Sequence, residues 1–210
     1  MVLMALLVGI SKAAMAVPIL DQSQLSFSSG EFVQGNISVA QTFTPSVGGE
    51  LASLDLFMSN HDTGEGKPLI VSIYNTQNGT PDSLLGTMDL NNIGGNYAWY
   101  SIDFSSLDMY LSANSLYAFV LSAPGTYLGI YPGGSVNDSY SGGMALIQNG
   151  VGATWQPDNR AKDLVFQTYM TVPDSTGPGI LALSALSLIA FNRFQKRSNI
   201  AQSARDAGRR

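Results

Sequence analysis

Residues 51–58 read Leu51-Ala52-Ser53-Leu54-Asp55-Leu56-Phe57-Met58. Successive side chains of an extended strand point to opposite faces. On that period Leu54, Leu56 and Met58 share one face, with Ser53 and Asp55 on the other. The stretch therefore predicts a strand with one buried side and one open side. The same pattern recurs along the chain. In residues 69–75, Leu69, Val71 and Ile73 alternate with Ser72 and Tyr74. In residues 97–104, Ala98, Tyr100, Ile102 and Phe104 alternate with Tyr97, Trp99, Ser101 and Asp103. Residues 115–122 (SLYAFVLS) are apolar on both faces, as a central strand would be. Residues 163–170 place Leu164, Phe166 and Met170 on one side.

Turn signals separate these runs: Gly48-Gly49, Gly64-Glu65-Gly66-Lys67-Pro68, Asn78-Gly79, Gly94-Gly95, Ala123-Pro124-Gly125, Pro132-Gly133-Gly134 and Gly142-Gly143. No stretch of residues 17–171 carries a helical period. The expectation is an all-β domain, an antiparallel β-sandwich or jelly roll, with a closed barrel as the second choice.

Charged residues make up 12% of the 210, and Cys is absent. That rules out thiol chemistry, Cys-ligated zinc and a disulfide framework. The net charge of −5 divides unevenly. Residues 17–171 hold 13 acids against Lys67, Arg160 and Lys162, while Arg193, Lys196, Arg197, Arg205, Arg209 and Arg210 face only Asp206 at the end. An acidic body argues against nucleic acid as a partner, because phosphate binding needs Lys and Arg.

The two ends read as address labels. Residues 2–10 are an apolar run, and Ala14-Met15-Ala16 follows, the A-x-A pattern of a cleaved signal peptide over residues 1–16. Ala14 and Ala16 are the expected cleavage determinants. Near the other end stand Val172-Pro173-Asp174-Ser175, then an uncharged stretch through about residue 192, then the basic residues of 193–210. A membrane-spanning helix needs ~20 apolar residues, with ~17 near the lower limit. The span predicted over about residues 176–192 is short and interrupted by Gly177, Pro178 and Gly179. The basic cluster after it places the tail on the cytoplasmic side.

This three-part ending, residues 172–210, resembles the PEP-CTERM class of bacterial sorting signals in its Val-Pro-Asp-Ser variant. The resemblance implies an exosortase-type membrane protease as a partner, cutting near Val172, Pro173, Asp174 and Ser175. It implies transient residence at the inner membrane, then the cell surface or extracellular matrix. Thr176 departs from the pattern by standing between Ser175 and the first Gly. The body carries a second resemblance. Gln41-Thr42-Phe43-Thr44-Pro45, Val71-Ser72-Ile73-Tyr74, Asn78-Gly79-Thr80-Pro81, Tyr140-Ser141-Gly142-Gly143 and Gly152-Ala153-Thr154-Trp155 follow in an order similar to bacterial choice-of-anchor surface domains. That implies a β-sandwich display module.

Chemistry-bearing motifs are sparse. The single histidine, His61, lies in Ser59-Asn60-His61-Asp62, and neighbours in one loop seldom form a triad. No G-x-S-x-G elbow is present, so no enzyme is expected. Asp62 and Glu65 share a Gly-rich loop and are candidate calcium ligands, calcium being the one cofactor considered. Asp138, Asp158 and Asp163 lie in or beside other loops. Flat rings stack on sugars, and Tyr97, Trp99, Tyr127, Tyr131, Tyr140 and Trp155 are candidates for that. Tyr131 and Trp155, flanked by Gly and Pro, are expected to be the most open.

Two readings follow. The first is a non-enzymatic exported surface or matrix protein, displayed or released within an exopolysaccharide layer. The second is a carbohydrate-binding, lectin-like module, either with calcium or without it.

Overall fold

The computed structural model describes residues 17–61, 68–125 and 129–172. These residues form strands and a single 3₁₀ turn at Ser105–Leu107. In chain order the strands are β1 (Ile19–Gln24), β2 (Ser29–Gly30), β3 (Ile37–Phe43), β4 (Gly49–Asn60), β5 (Leu69–Gln77), β6 (Thr80–Leu90) and β7 (Ala98–Asp103). There follow β8 (Tyr110–Leu111), β9 (Tyr117–Ser122), β10 (Ile130–Ser135), β11 (Ala145–Asn149), β12 (Gln156–Pro157), β13 (Asp163–Leu164) and β14 (Phe166–Thr171).

The strands pair antiparallel into two sheets. The larger runs β1-β14-β4-β10-β13, with β2 added to β10 and β7 and β8 added to β4. The smaller runs β12-β11-β3-β9-β5-β6. Among the described residues no strand pair joins the two sheets, so the barrel alternative is set aside for two separate layers. Between them lies one apolar core. The alternation of residues 51–58 explains it directly: Leu54, Leu56 and Met58 are fully shielded and meet Val39, Phe43, Val71, Ile73, Phe119 and Leu121 of the other sheet. Phe166 of β14 closes the centre, 5.3 Å from Phe119 and 6.4 Å from Phe43 between ring centroids. Two antiparallel sheets over a shared core make a β-sandwich.

The strand at residues 117–122 is central, between β3 and β5, as its two apolar faces required. Asn78-Gly79 is the tight turn of the β5–β6 hairpin, with φ of 52° and 79° as such a turn demands. Pro132-Gly133-Gly134 corrects the sequence reading: it is strand, not turn. A Cβ on Gly133 would stand 3.0 Å from the Phe57 ring, and one on Gly134 2.6 Å from the Ala161 methyl. These glycines serve close packing. Pro132 has no N–H to offer, but its carbonyl accepts the Glu31 N–H at 2.9 Å.

The expected signal peptide at residues 1–16, with Ala14 and Ala16, lies outside the described residues, as do Pro173, Asp174, Ser175 and the span at about 176–192. Val172, the last described residue, follows β14. Among the described residues no helix is long and apolar enough to cross a membrane.

Candidate functional site

The outer side of the larger sheet is set by the same alternation that builds its core. Leu56 and Met58 point inward, so Phe57 and Ser59 point outward. Residues directly opposite in a ladder share a face. Trp99 of β7 stands opposite Phe57, and Tyr131 of β10 opposite Ser59. Trp99 is 44% exposed.

Further rings gather on these. Tyr97 stacks on Phe57 with centroids 5.3 Å apart, and Trp99 lies 5.5 Å from Phe57. Phe27, from the segment before β2, meets Tyr97 at 4.8 Å and Phe57 at 5.3 Å. Phe27 is 48% exposed. Beside this group, His61 packs on Tyr131 at 4.5 Å and Phe32 lies 6.4 Å from Tyr131. The Arg160 guanidinium sits over Phe32, 4.5 Å from its centroid. Gly30 makes room for the Tyr97 hydroxyl, which a Cβ there would strike. Burial holds the Tyr97 phenol above its ordinary pKa, with the Ser59 hydroxyl opposing.

Polar groups border the rings. Asp55 lies on the same face, between Ser101 of β7 and Gln167 of β14. Its Oδ1 is buried without a hydrogen-bond donor. Beneath Phe32, Glu31 is wholly buried, and its carboxylate meets Arg160 Nε at 3.0 Å. Burial pushes the Glu31 carboxyl up to about 8; the neighbouring Asp158 adds to the rise and Arg160 opposes it.

Of the two rings singled out from sequence, Tyr131 belongs to this face and Trp155 does not. Trp155 packs with Tyr74 over Ala40, Val120 and Leu146, on the outer side of the smaller sheet. The two therefore serve no common site. Both are half-buried rather than open, because each lies against a strand instead of leaving it. Tyr97 and Trp99, also named from sequence, converge with Tyr131. Tyr140 is internal: its hydroxyl donates to Gln22 Oε1 at 2.9 Å and accepts the Thr44 N–H at 3.3 Å. Burial raises it to about 12. Tyr127 lies outside the described residues, and so do Asp62 and Glu65. Among the described residues no group of three or more His, Cys, Asp or Glu is placed to hold a metal. Asp163 is a structural acceptor for the Ser139 and Tyr140 N–H groups and the Gln41 amide. Asp138, Asp158 and Lys162 line a pocket of about 280 Å³.

No family model and no curated protein matches the chain.

Phe27, Phe32, Phe57 and Glu31 were not among the sequence candidates. Phe57 carried a signal: it places a ring on the polar side of the alternation in residues 51–58. Phe27, Phe32 and Glu31 carry none that is local.

Proposed function

We propose that this chain is a non-enzymatic exported surface protein whose β-sandwich binds carbohydrate through the ring-lined outer face of its larger sheet. One observation carries the reading: Phe27, Phe57, Tyr97, Trp99 and Tyr131 are gathered on one face, with Trp99 and Phe27 still about half open. A grouping of apolar rings left facing water marks a binding surface rather than a core. Sugar rings present C–H faces that stack on aromatics, and their hydroxyls need polar partners close by. Asp55, Ser101 and Gln167 stand beside the rings to supply them.

A glycan array probed with the full-length chain tests this. Binding to at least one class of polysaccharide is expected, and Trp99→Ala is expected to weaken it about tenfold or more, equivalent to ~1.4 kcal/mol. Because Trp99 is 44% exposed, thermal stability should hardly move. Silence across the array, or full binding by the variant, overturns the reading.

The export half of the proposal draws on the sequence ends, residues 1–16 and 172–210. Expression with and without an exosortase, followed by intact-mass measurement, is expected to show loss of the tail beyond about residue 175 only when the protease is present. An unchanged mass in both cells removes sorting from the proposal.

A further inference from the structure

The segment at residues 27–33 supplies Phe27 and Phe32 to the ring face, and it is docked on β10. The Ser28, Glu31 and Val33 N–H groups donate to the Gly134, Pro132 and Ile130 carbonyls at 2.9, 2.9 and 2.8 Å. Between the two rings Glu31 turns inward and is 0% exposed. Its carboxyl reaches that of Asp158, which is 3% exposed. Asp158 is itself fixed, since its Oδ1 accepts the Arg160 N–H at 2.8 Å.

Two buried carboxyls thus face one another. Neither Glu31 Oε1 nor Asp158 Oδ2 receives a hydrogen bond from any N–H or hydroxyl. Arg160 balances one negative charge from one side, through Nε at 3.0 Å. A buried acceptor without a donor is costly, and two adjacent buried carboxylates are more so. One proton held by Glu31 and donated to Asp158 removes a charge and satisfies both oxygens. Among the described residues, Tyr97, ahead of β7, also interacts with Glu31, with Tyr131 of β10 beside it, and Asp138 and Lys162 share a pocket with Asp158.

We propose that the Glu31–Asp158 pair, closed by a shared proton and clamped by Arg160, is a pH-dependent latch that docks residues 27–33 onto β10 and so assembles the ring face. Its bearing on ligand rests on the carbohydrate-binding reading above; the latch itself does not. The sign follows from linkage. Docked, Glu31 keeps its proton up to about pH 8; released, it ionises near its ordinary value of 4.5. The docked state binds the extra proton, so docking is tightest at low pH and loosens as pH rises through that window, by up to ~tenfold per pH unit.

Hydrogen exchange of the full-length chain, corrected for intrinsic rates, measures this without a glycan. Protection of the Glu31 and Val33 amides is expected to fall at least ~tenfold between pH 6 and pH 8. In Glu31→Gln, whose amide donates without a titrating proton, the fall is expected to vanish; Asp158→Asn is the second variant should the first not fold. His61→Gln, which removes the chain's single His, is expected to keep the fall. A pH-independent wild type, or an equal fall in both carboxamide variants, overturns the latch. A working latch with a silent glycan array would instead overturn the carbohydrate reading alone.

Discussion

Phe166→Ala is expected to lower the free energy of unfolding by about 3–5 kcal/mol, the usual cost of emptying a buried phenylalanine site. Phe166 is 0% exposed and belongs to the larger sheet, opposite Leu56 on β4. Its ring meets Phe119 at 5.3 Å and Phe43 at 6.4 Å, both in the smaller sheet, and the Tyr140 ring edge-on at 5.2 Å. The void would open where the two layers touch. Neither sheet can close it alone, since each is tied by its ladder, so relaxation recovers little. Urea unfolding of the variant measures the loss; a change under about 1 kcal/mol would mean that the layers slide together freely.

The second large effect is expected from Gln41→Leu. Gln41 is wholly buried in β3, and its amide reaches Asp163 and Leu164 of β13 in the other sheet. Nε2 donates to Asp163 Oδ1 at 3.3 Å and to the Thr42 carbonyl at 3.0 Å, and Oε1 accepts the Leu164 N–H at 2.7 Å. Leucine of similar size strands all three groups. Breaking a buried charged network of this kind costs about 3–5 kcal/mol. Burial already holds the Asp163 carboxyl above its ordinary range, against the donors from Tyr140, Ser139 and Gln41. Losing one of those donors raises it further. The deficit should therefore be smaller at pH 4, where the carboxyl takes up a proton, than at pH 7. Equal losses at both would show that the Leu164 N–H, not the carboxylate, carries the cost.

Legibility in the sequence tracked the range of the interactions. The strands of residues 51–58 and 97–104 were readable because their inner faces are apolar at every second position, and Ile102 and Phe104 are indeed buried. The β5–β6 turn was readable because Asn78 and Gly79 adopt left-handed conformations that few residues accept. Pro132-Gly133-Gly134 misled because its composition fits a turn, while its purpose is the close approach of Phe57 and Ala161, which lie far away in the chain. The candidate face was half visible. Tyr97, Trp99 and Tyr131 stood out as rings, but their meeting depends on which strands flank β4, and ladder order is not written in any one segment. Glu31 was invisible. Nothing near it signals burial, because its partners Asp158 and Arg160 arrive from the other end of the domain.

The pairing of β1 with β14 sets Ile19 beside Met170, and Met170 beside Leu51 at the start of β4. The rings lie at the opposite end of β4, around Phe57 and Ser59. At about 3.3 Å per residue, that separates them from the entry and exit points of the domain by about 20–25 Å. The chain thus enters and leaves the sandwich at the end of β4 remote from the rings, so changes at Ile19 or Met170 act far from the aromatic face.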